Sequence, residues 1–339
     1  MTAIPRHRPV GPHISRAAFL AAGGLAGMLT LVACSGVSGG ESASDGGGRS
    51  DGTAAEGELP AAEGATSYPL ALTTAWGETE LPERPVRIAA VSPTGRDSEL
   101  LGLLGITPYE TVAAAEPDLI VVFGKSLSGE FEQLSAIAPV LAASSDDAAL
   151  EADWHTELAA LGEALDLSSA AERAIAEHGS WFETAREENP GFEGLTATYA
   201  VQYAEEWGLA YFSTTGSDAE QIFLDLGFSP NPLAEQFVDD DLVSAELISQ
   251  LDADVLVIAN NTEDETEFER LLTDQELFGK LQAARDGHVA VLHMSDDGYR
   301  FDGEEHTGNL AWALAQGGPL GKQWAAEQLI PILRTTLAR

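Results

Sequence analysis

The side chains in this sequence that could carry chemistry are a few cations set among many acids. The chain has 17 lysines and arginines against 55 aspartates and glutamates, and its formal net charge is −38. Tyr299-Arg300-Phe301 places one cation between two aromatic residues, just after a predicted strand. A guanidinium beside aromatic rings suits an anionic or aromatic ligand, through paired hydrogen bonds and cation–π contacts. The alternative is that Arg300 is exposed and pairs with a neighbouring carboxylate.

Four further residues lie where predicted strands end. Tyr203 closes one strand and Trp207 follows it, while Arg96 and Lys125 follow two strands in the first half of the chain. Ligands of parallel α/β sheets bind beyond the carboxyl ends of the strands. For Arg96 and Lys125 the alternative is a surface ion pair. The residues that we expect to contact a ligand are Arg96, Lys125, Tyr203, Trp207, Tyr299 and Arg300.

Catalytic and metal-binding motifs lack their required spacing. Gly124-Lys125-Ser126 resembles the end of a phosphate-binding loop, but Leu119 stands where that loop needs a glycine. The histidines form no H-E-x-x-H motif, and the acidic loop at residues 295–306 does not have EF-hand spacing. Cys34 is the only cysteine, which excludes disulfides. The sequence therefore predicts a protein that is not an enzyme and has no metal site or cofactor.

The N-terminus has the features of an exported lipoprotein. An apolar run of about 15 residues follows Arg16, too short to span a bilayer but as long as the core of a signal peptide. It ends in Leu31-Val32-Ala33-Cys34, which resembles a bacterial lipobox and predicts lipidation of Cys34. The alternative is cleavage elsewhere with Cys34 incidental, and Sec and Tat export both stay open. The acidic charge excludes nucleic acid and anionic membranes as partners, apart from this anchor.

Strands and helices alternate through the rest of the chain. Residues 86–91 (VRIAAV) and 118–123 (DLIVVF) are apolar runs typical of buried parallel strands. Ser169-Ala170-Ala171-Glu172 has the pattern of a capping box opening a helix to about residue 189. Strands at residues 198–203, 255–259 and 288–293 alternate with helices, the last at about 303–316 and 321–337. This pattern predicts an α/β fold with two Rossmann-like lobes, largely parallel sheets and one long joining helix.

The predicted boundaries follow from these features. Residues 35–67 are mostly Gly, Ser, Ala, Asp and Glu with no aromatic residue, which indicates a flexible tether. We expect a signal peptide at residues 1–33, a tether at 34–67, a first lobe at 68–167, a linking helix at 168–190 and a second lobe at 191–339.

Seven short segments follow one another in order through the predicted lobes. They are residues 85–90 (PVRIAA), 99–106 (ELLGLLGI), 112–120 (VAAAEPDLI), 134–140 (LSAIAPV), 224–228 (LDLGF), 244–248 (SAELI) and 251–256 (LDADVL). Behind a lipobox, this series resembles the substrate-binding lipoproteins of ABC importers for ferric siderophores, haem and cobalamin. The resemblance implies a ligand held between two lobes, in a pocket lined by aromatic residues and arginines.

The resemblance also implies partners for the protein, and the sequence departs from the family at one place. It implies a monomer that captures a ferric siderophore and docks on an ABC permease, with its ATPase, through one surface glutamate per lobe. Glu130 or Glu132, and Glu220, are the candidates. The stretch after Ile106 is shorter than in the family, so the first lobe's share of the pocket is expected to be reshaped. The alternatives are a haem or cobalamin receptor, and a non-transport envelope lipoprotein that uses the fold to bind proteins. The predicted location is the outer face of the cytoplasmic membrane.

Overall fold

The computed structural model describes residues 59–91, 96–107, 116–123, 126–144, 153–262, 264–316 and 318–339. All of them belong to one compact unit, residues 53–339. Cys34, most of the predicted tether and Lys125 lie outside the described residues. Within the described ranges, no helix has both the length and the apolar character needed to cross a bilayer.

The first lobe is built on a small parallel sheet. Its strands are β1 (Leu70–Thr74), β2 (Gly77–Leu81), β3 (Ile88–Ala90), β4 (Leu119–Val122) and β5 (Val140–Ala142), and its helices are α1 (Arg96–Leu103), α2 (Phe131–Ser135) and α3 (Trp154–Ala164). Strands β3, β4 and β5 run parallel in that order, and β1 and β2 form an antiparallel hairpin. Strand β4 is buried on both faces, because Leu119 and Val121 enter one hydrophobic cluster and Ile120 and Val122 enter another. This explains its continuous apolar sequence.

The chain is attached to the first lobe earlier than the predicted end of the tether. The Asp166 carboxylate accepts hydrogen bonds from the backbone nitrogens of Gly64, Ala65 and Thr66 at 2.7 to 2.9 Å. These bonds, with that from Thr66 first, hold the pKa of Asp166 below its usual range. Residues 64–66 are therefore part of the lobe and not of a free tether.

A single long helix, α4 (Ser168–Glu187), connects the two halves of the chain. The predicted capping box does not form, since no side chain caps the helix at Leu167. Instead the Glu63 carboxylate accepts hydrogen bonds from Ser169 N at 2.7 Å and Ala170 N at 2.9 Å. The 20 residues extend about 30 Å. Ala171 and Ala174 belong to the first core, and Phe182 and Ala185 belong to the second.

The second lobe contains a larger mixed sheet. Its strands are β6 (Ala197–Tyr203), β7 (Leu209–Tyr211), β8 (Leu242–Val243), β9 (Val255–Asn261), β10 (Val289–Met294), β11 (Gly298–Phe301) and β12 (Glu304–Thr307). Its α-helices are α5 (Asp218–Asp225), α6 (Glu265–Phe268), α7 (Gln282–Asp286), α8 (Leu310–Gln316) and α9 (Pro319–Leu337). Shorter helices are Pro190–Phe192, Ala234–Phe237, Ala245–Leu251 and Phe278–Lys280 of the 3-10 type, and the π-helix Glu269–Thr273.

The strand order in this sheet is β12-β11-β10-β9-β6-β7-β8. The three central strands, β6, β9 and β10, are parallel, and the pairs outside them are antiparallel. The α/β fold with two lobes and one joining helix is confirmed. The sheet of the first lobe is parallel, and in the second lobe the parallel strands are limited to the centre of the sheet. The helix predicted from about residue 303 is wrong at its start, because Asp302 and Gly303 form a two-residue hairpin turn with positive φ and β12 follows.

Tyr299 does not lie where a ligand contact was expected. Its side chain is fully buried in the second core, and its ring stacks on that of His306 with 4.8 Å between centroids. Successive side chains of a strand point to opposite faces, so Tyr299 enters the core and Arg300 faces the other way. The Tyr299 hydroxyl has no hydrogen-bond partner among the described residues.

Glu99 on α1 connects the two lobes at the start of α9. Its carboxylate accepts hydrogen bonds from Gly318 N at 3.1 Å and Gly321 N at 2.9 Å. Backbone nitrogens in the first turn of a helix have no partner within the helix, so this carboxylate caps it from another lobe. His178 on α4 also contacts this turn, with its Nε2 donating to the Pro319 carbonyl oxygen at 3.0 Å.

We expect Glu99→Ala to lower the free energy of unfolding by about 1 kcal/mol, because a helix cap is lost. Urea unfolding followed by circular dichroism measures the change. Glu177→Ala is the matched control, since Glu177 is exposed on α4. Equal unfolding midpoints for the two variants would show that the cap contributes nothing.

We expect Tyr299→Phe to raise the free energy of unfolding by up to about 1 kcal/mol, because it removes a buried hydroxyl without a partner. Tyr211→Phe is the control, since the Tyr211 hydroxyl lies 3.1 Å from Thr198 Oγ1. This variant should have a free energy of unfolding about 1 kcal/mol lower than wild type, because a hydrogen bond is lost. Thermal unfolding of both variants tests this. A Tyr299→Phe variant less stable than wild type would mean that the hydroxyl is hydrogen-bonded in solution.

Candidate functional site

The carboxyl ends of the central strands of the second sheet form a common edge. Tyr203 ends β6, Asn261 ends β9 and Met294 ends β10. Tyr203 pairs with Asn261 in the register of β6 and β9. Because the three strands are parallel, these residues lie side by side at one edge, where ligands of such sheets bind.

A row of polar side chains crosses the sheet at this edge. Gln202, Asn260, His293, Arg300 and Glu305 are successive partners in the register of β6, β9, β10, β11 and β12. Directly paired residues share one face of a sheet, so the five side chains lie on the same face. Gln202 and Asn260 are buried. The row is a continuous set of donors and acceptors that crosses five strands of the sheet.

His293 is held neutral within this row. Burial lowers the pKa of the imidazole, and the Glu265 carboxylate and the Arg300 guanidinium then act in opposite directions. Asn260 Nδ2 lies 3.1 Å from His293 Nδ1. An amide nitrogen only donates, so Nδ1 accepts and Nε2 carries the proton. His293 therefore presents an N–H donor beside Arg300.

Arg300 is engaged by carboxylates on both sides. Its Nη2 donates to Glu265 on α6, and its Nε lies 3.7 Å from Glu305 Oε1. The guanidinium is about one third exposed. The alternative given by the sequence, pairing with a neighbouring carboxylate, is thus what the structure has. A ligand anion at Arg300 would compete with these two glutamates.

Tyr203 and Trp207 lie at the other end of the edge. Tyr203 is half-buried against the second core, and burial raises its pKa to about 12, so its phenol is neutral and can donate. Trp207 N donates to the Ala204 carbonyl oxygen in the turn between β6 and β7, and 51% of the Trp207 side chain is exposed. This turn offers one polar and one aromatic contact. Tyr203 lies on the face opposite to Arg300, since Gln202, its neighbour in β6, is in register with the polar row.

In the first lobe, Arg96 begins α1, the next described element after β3. Its side chain is 17% exposed, and its Nη1 lies 3.6 Å from Glu157 Oε2 on α3. Glu157 is 4% exposed. Burial raises the pKa of Glu157 to about 7, against the opposing effect of Arg96. Lys125 lies outside the described residues.

The glutamates proposed to dock a partner differ in exposure. Glu130 and Glu132 are exposed at the start of α2. Glu220 is only 8% exposed, and its carboxylate accepts a hydrogen bond from Gly216 N at 2.6 Å. Because this carboxylate is buried and bound to the loop before α5, Glu220 does not present it on the surface.

Several site residues were not identified from the sequence. Asn260 and His293 carried a usable signal, since both are polar residues at the ends of apolar strands. Glu157 carried none, because its partner Arg96 is distant in the chain. Within the described ranges, no group of three or more His, Cys, Asp or Glu side chains is arranged to hold a metal ion. A cavity of about 420 Å³ lies between residues 65–70 and helices α3 and α4, and none of the predicted ligand contacts lines it.

The sequence is related to binding proteins. A family profile described as "Periplasmic binding protein" matches residues 101–295, more than half of the chain. The Fe(3+)-citrate-binding protein YfmC of Bacillus subtilis (strain 168) is 26% identical over 180 residues, 53% of this chain and 55% of that protein. The HTH-type transcriptional activator Btr of the same strain is 27% identical over 185 residues, 54% of this chain and 33% of that protein. The matches span about half and one third of the relatives' own lengths.

Solved structures have the same fold. PiaA of Streptococcus pneumoniae TIGR4 in complex with ferrichrome has a TM-score of 0.58 and 19% identity, over 79% of this chain and 98% of that chain. Staphylococcus aureus SirA complexed with staphyloferrin B has a TM-score of 0.57 and 18% identity, over 78% and 98%. At these identities the likeness concerns the fold. Since the profile covers more than half of the sequence, the resemblance drawn from the seven segments is confirmed, and the chain belongs to the periplasmic binding protein family.

Proposed function

We propose that this chain is the ligand-capturing receptor of an ABC importer and binds an anionic ferric chelate. The observation that carries the proposal is the edge of the second sheet. A neutral phenol and an exposed indole lie at one end of this edge, and a neutral imidazole and a guanidinium lie toward the other. Guanidinium and N–H donors suit the carboxylate or catecholate oxygens of a chelate, and an indole suits its apolar or aromatic parts.

The relatives support the choice of an iron chelate. One is named for binding Fe(3+)-citrate, and two structures hold staphyloferrin B and ferrichrome. In a chain with net charge −38, an anionic ligand needs local cations. Arg96 and Arg300, each after or beside a strand end, supply them, and Lys125 is proposed to do the same. Delivery to a permease and its ATPase belongs to the same proposal, with Glu130 or Glu132 as the docking carboxylate of the first lobe.

A second candidate function has one observation in its favour. A related domain forms part of a protein named as a transcriptional activator. A fold of this kind therefore occurs outside importer receptors, and this chain could bind a ligand or a protein without delivering cargo. Titration with a chelate, followed by an assay of uptake of the same chelate by the native host with and without this protein, separates the two functions.

We expect Trp207→Ala to weaken ferric citrate binding at least tenfold, because the exposed indole is lost from the site while the core is untouched. Quenching of tryptophan fluorescence and isothermal titration calorimetry measure the affinity. Trp312→Ala is the matched control, since the Trp312 side chain is 48% exposed on α8. Ferrichrome, haemin and cobalamin are titrated in parallel. Absence of binding to every compound in this panel would refute the proposal.

We also propose that the receptor is anchored by lipid on Cys34. In the native host, Cys34→Ala should move the protein from the membrane fraction to the soluble or secreted fraction and abolish incorporation of labelled palmitate. Ser35→Ala is the control next to it. A Cys34→Ala protein that stays in the membrane fraction would show that another feature anchors the chain.

A further inference from the structure

Glu157 is a buried carboxylate without hydrogen bonds. It lies on α3, is 4% exposed, and neither of its oxygens has a hydrogen-bond partner among the described residues. Glu157 forms an ion pair with Arg96, whose Nη1 lies 3.6 Å from Glu157 Oε2. A buried carboxylate held by one cation loses most of its stabilisation when that cation is engaged elsewhere.

The other charges around Glu157 also disfavour its ionised form. Asp97, fully buried beside Arg96 on α1, and Asp153, at the start of α3, both raise the pKa of Glu157. From α4, His178 packs against the Trp154 ring at 4.8 Å, and burial lowers the pKa of His178, so it adds no positive charge at neutral pH. Arg96 is therefore the group that favours the ionised form of Glu157, against burial and these two carboxylates.

Arg96 connects the edge of the first sheet to the buried Glu157. Its backbone starts α1 after the carboxyl end of β3, at the ligand edge of the first sheet, and its side chain reaches the buried Glu157. An anion bound to Arg96 would draw the guanidinium from Glu157 and bring a second negative charge near it. Both effects favour a protonated Glu157.

We propose that Glu157 is the counter-ion that an anionic ferric chelate displaces from Arg96, and that capture of the chelate is accompanied by uptake of one proton from solvent at Glu157. The inference rests on the proposed function, and it adds a specificity rule. Anionic chelates bind with proton uptake at this residue, while a ligand that does not engage Arg96 binds without it.

The sign of the pH effect follows from linkage. The complex holds more protons than the free protein, so affinity rises as pH falls. In free protein the pKa of Glu157 is about 7, and in the complex it is higher. Between these two values, affinity falls by up to tenfold per pH unit as pH rises.

The test is calorimetric titration with ferric citrate at pH 7.5 in buffers of different ionisation enthalpy, which counts protons. Wild type should take up between about one half and three quarters of a proton per chelate, because a group with a pKa of about 7 is already about one quarter protonated at pH 7.5. Glu157→Gln should remove this uptake, bind roughly tenfold more tightly than wild type at pH 8.5, and match wild type at pH 6. Glu163→Gln is the control on the same helix, at an exposed position, and should keep the wild-type proton count. Protonation of citrate and of the buffer contributes equally to the wild type and to both variants, so the difference in proton count between the proteins reports on Glu157.

A second measurement needs no ligand. The pKa of Glu157 is raised on folding, so its contribution to stability is present at low pH and is lost as pH rises through about 7. The urea midpoint should fall more between pH 6 and pH 8.5 in wild type than in Glu157→Gln. Equal shifts would overturn the assignment of Glu157 as a buried counter-ion.

The outcomes separate the two proposals. Binding of ferric citrate with equal proton uptake in wild type and Glu157→Gln would overturn this inference and leave the proposed function standing. If neither ferric citrate nor any other chelate in the panel binds between pH 6 and pH 8.5, both the proposed function and this inference are overturned.

Discussion

The rest of the structure depends on one helix that is packed into two cores. The first turns of α4 contribute Ala171 and Ala174 to the first core, and its last turns contribute Phe182 and Ala185 to the second. A helix is stiff along its axis because each turn is hydrogen-bonded to the next. Glu99 adds a second connection by capping α9, a helix whose apolar side chains lie in the second core. The two lobes are thus connected at two points, by α4 and by the Glu99 cap.

Much of this architecture could be predicted from the sequence, because the central strands are buried on both faces. Strands β4 and β9 read as continuous apolar runs for that reason. The hairpin of β11 and β12 was missed although Asp302-Gly303 is a common two-residue turn, since its acidic residues resemble a solvated loop. The cap of α4 could not be predicted, because Glu63 is separated from Ser169 by more than 100 residues.

The site was predictable only in part, for a similar reason. Strand ends locate Tyr203, Trp207 and Arg96, because a sheet that binds ligands at its carboxyl edge makes these positions special. Which face a side chain occupies depends on register, and register is not visible in one strand alone. Tyr299 and Arg300 therefore looked equivalent in the sequence and are opposite in the fold. The environment of Glu157 comes from packing between α1 and α3, which no local pattern records.

Strand register determines how large a ligand must be to contact both ends of the proposed site. Tyr203 on β6 and Arg300 on β11 are three strand spacings apart, about 14 Å, and project from opposite faces of one edge. A free phosphate or a single amino acid is shorter than this span and can touch one of the two groups at a time. A bulky metal complex that sits end-on against the sheet can reach both. At the proposed site, a small anion therefore makes at most one of the two contacts, and a bulky metal complex makes both.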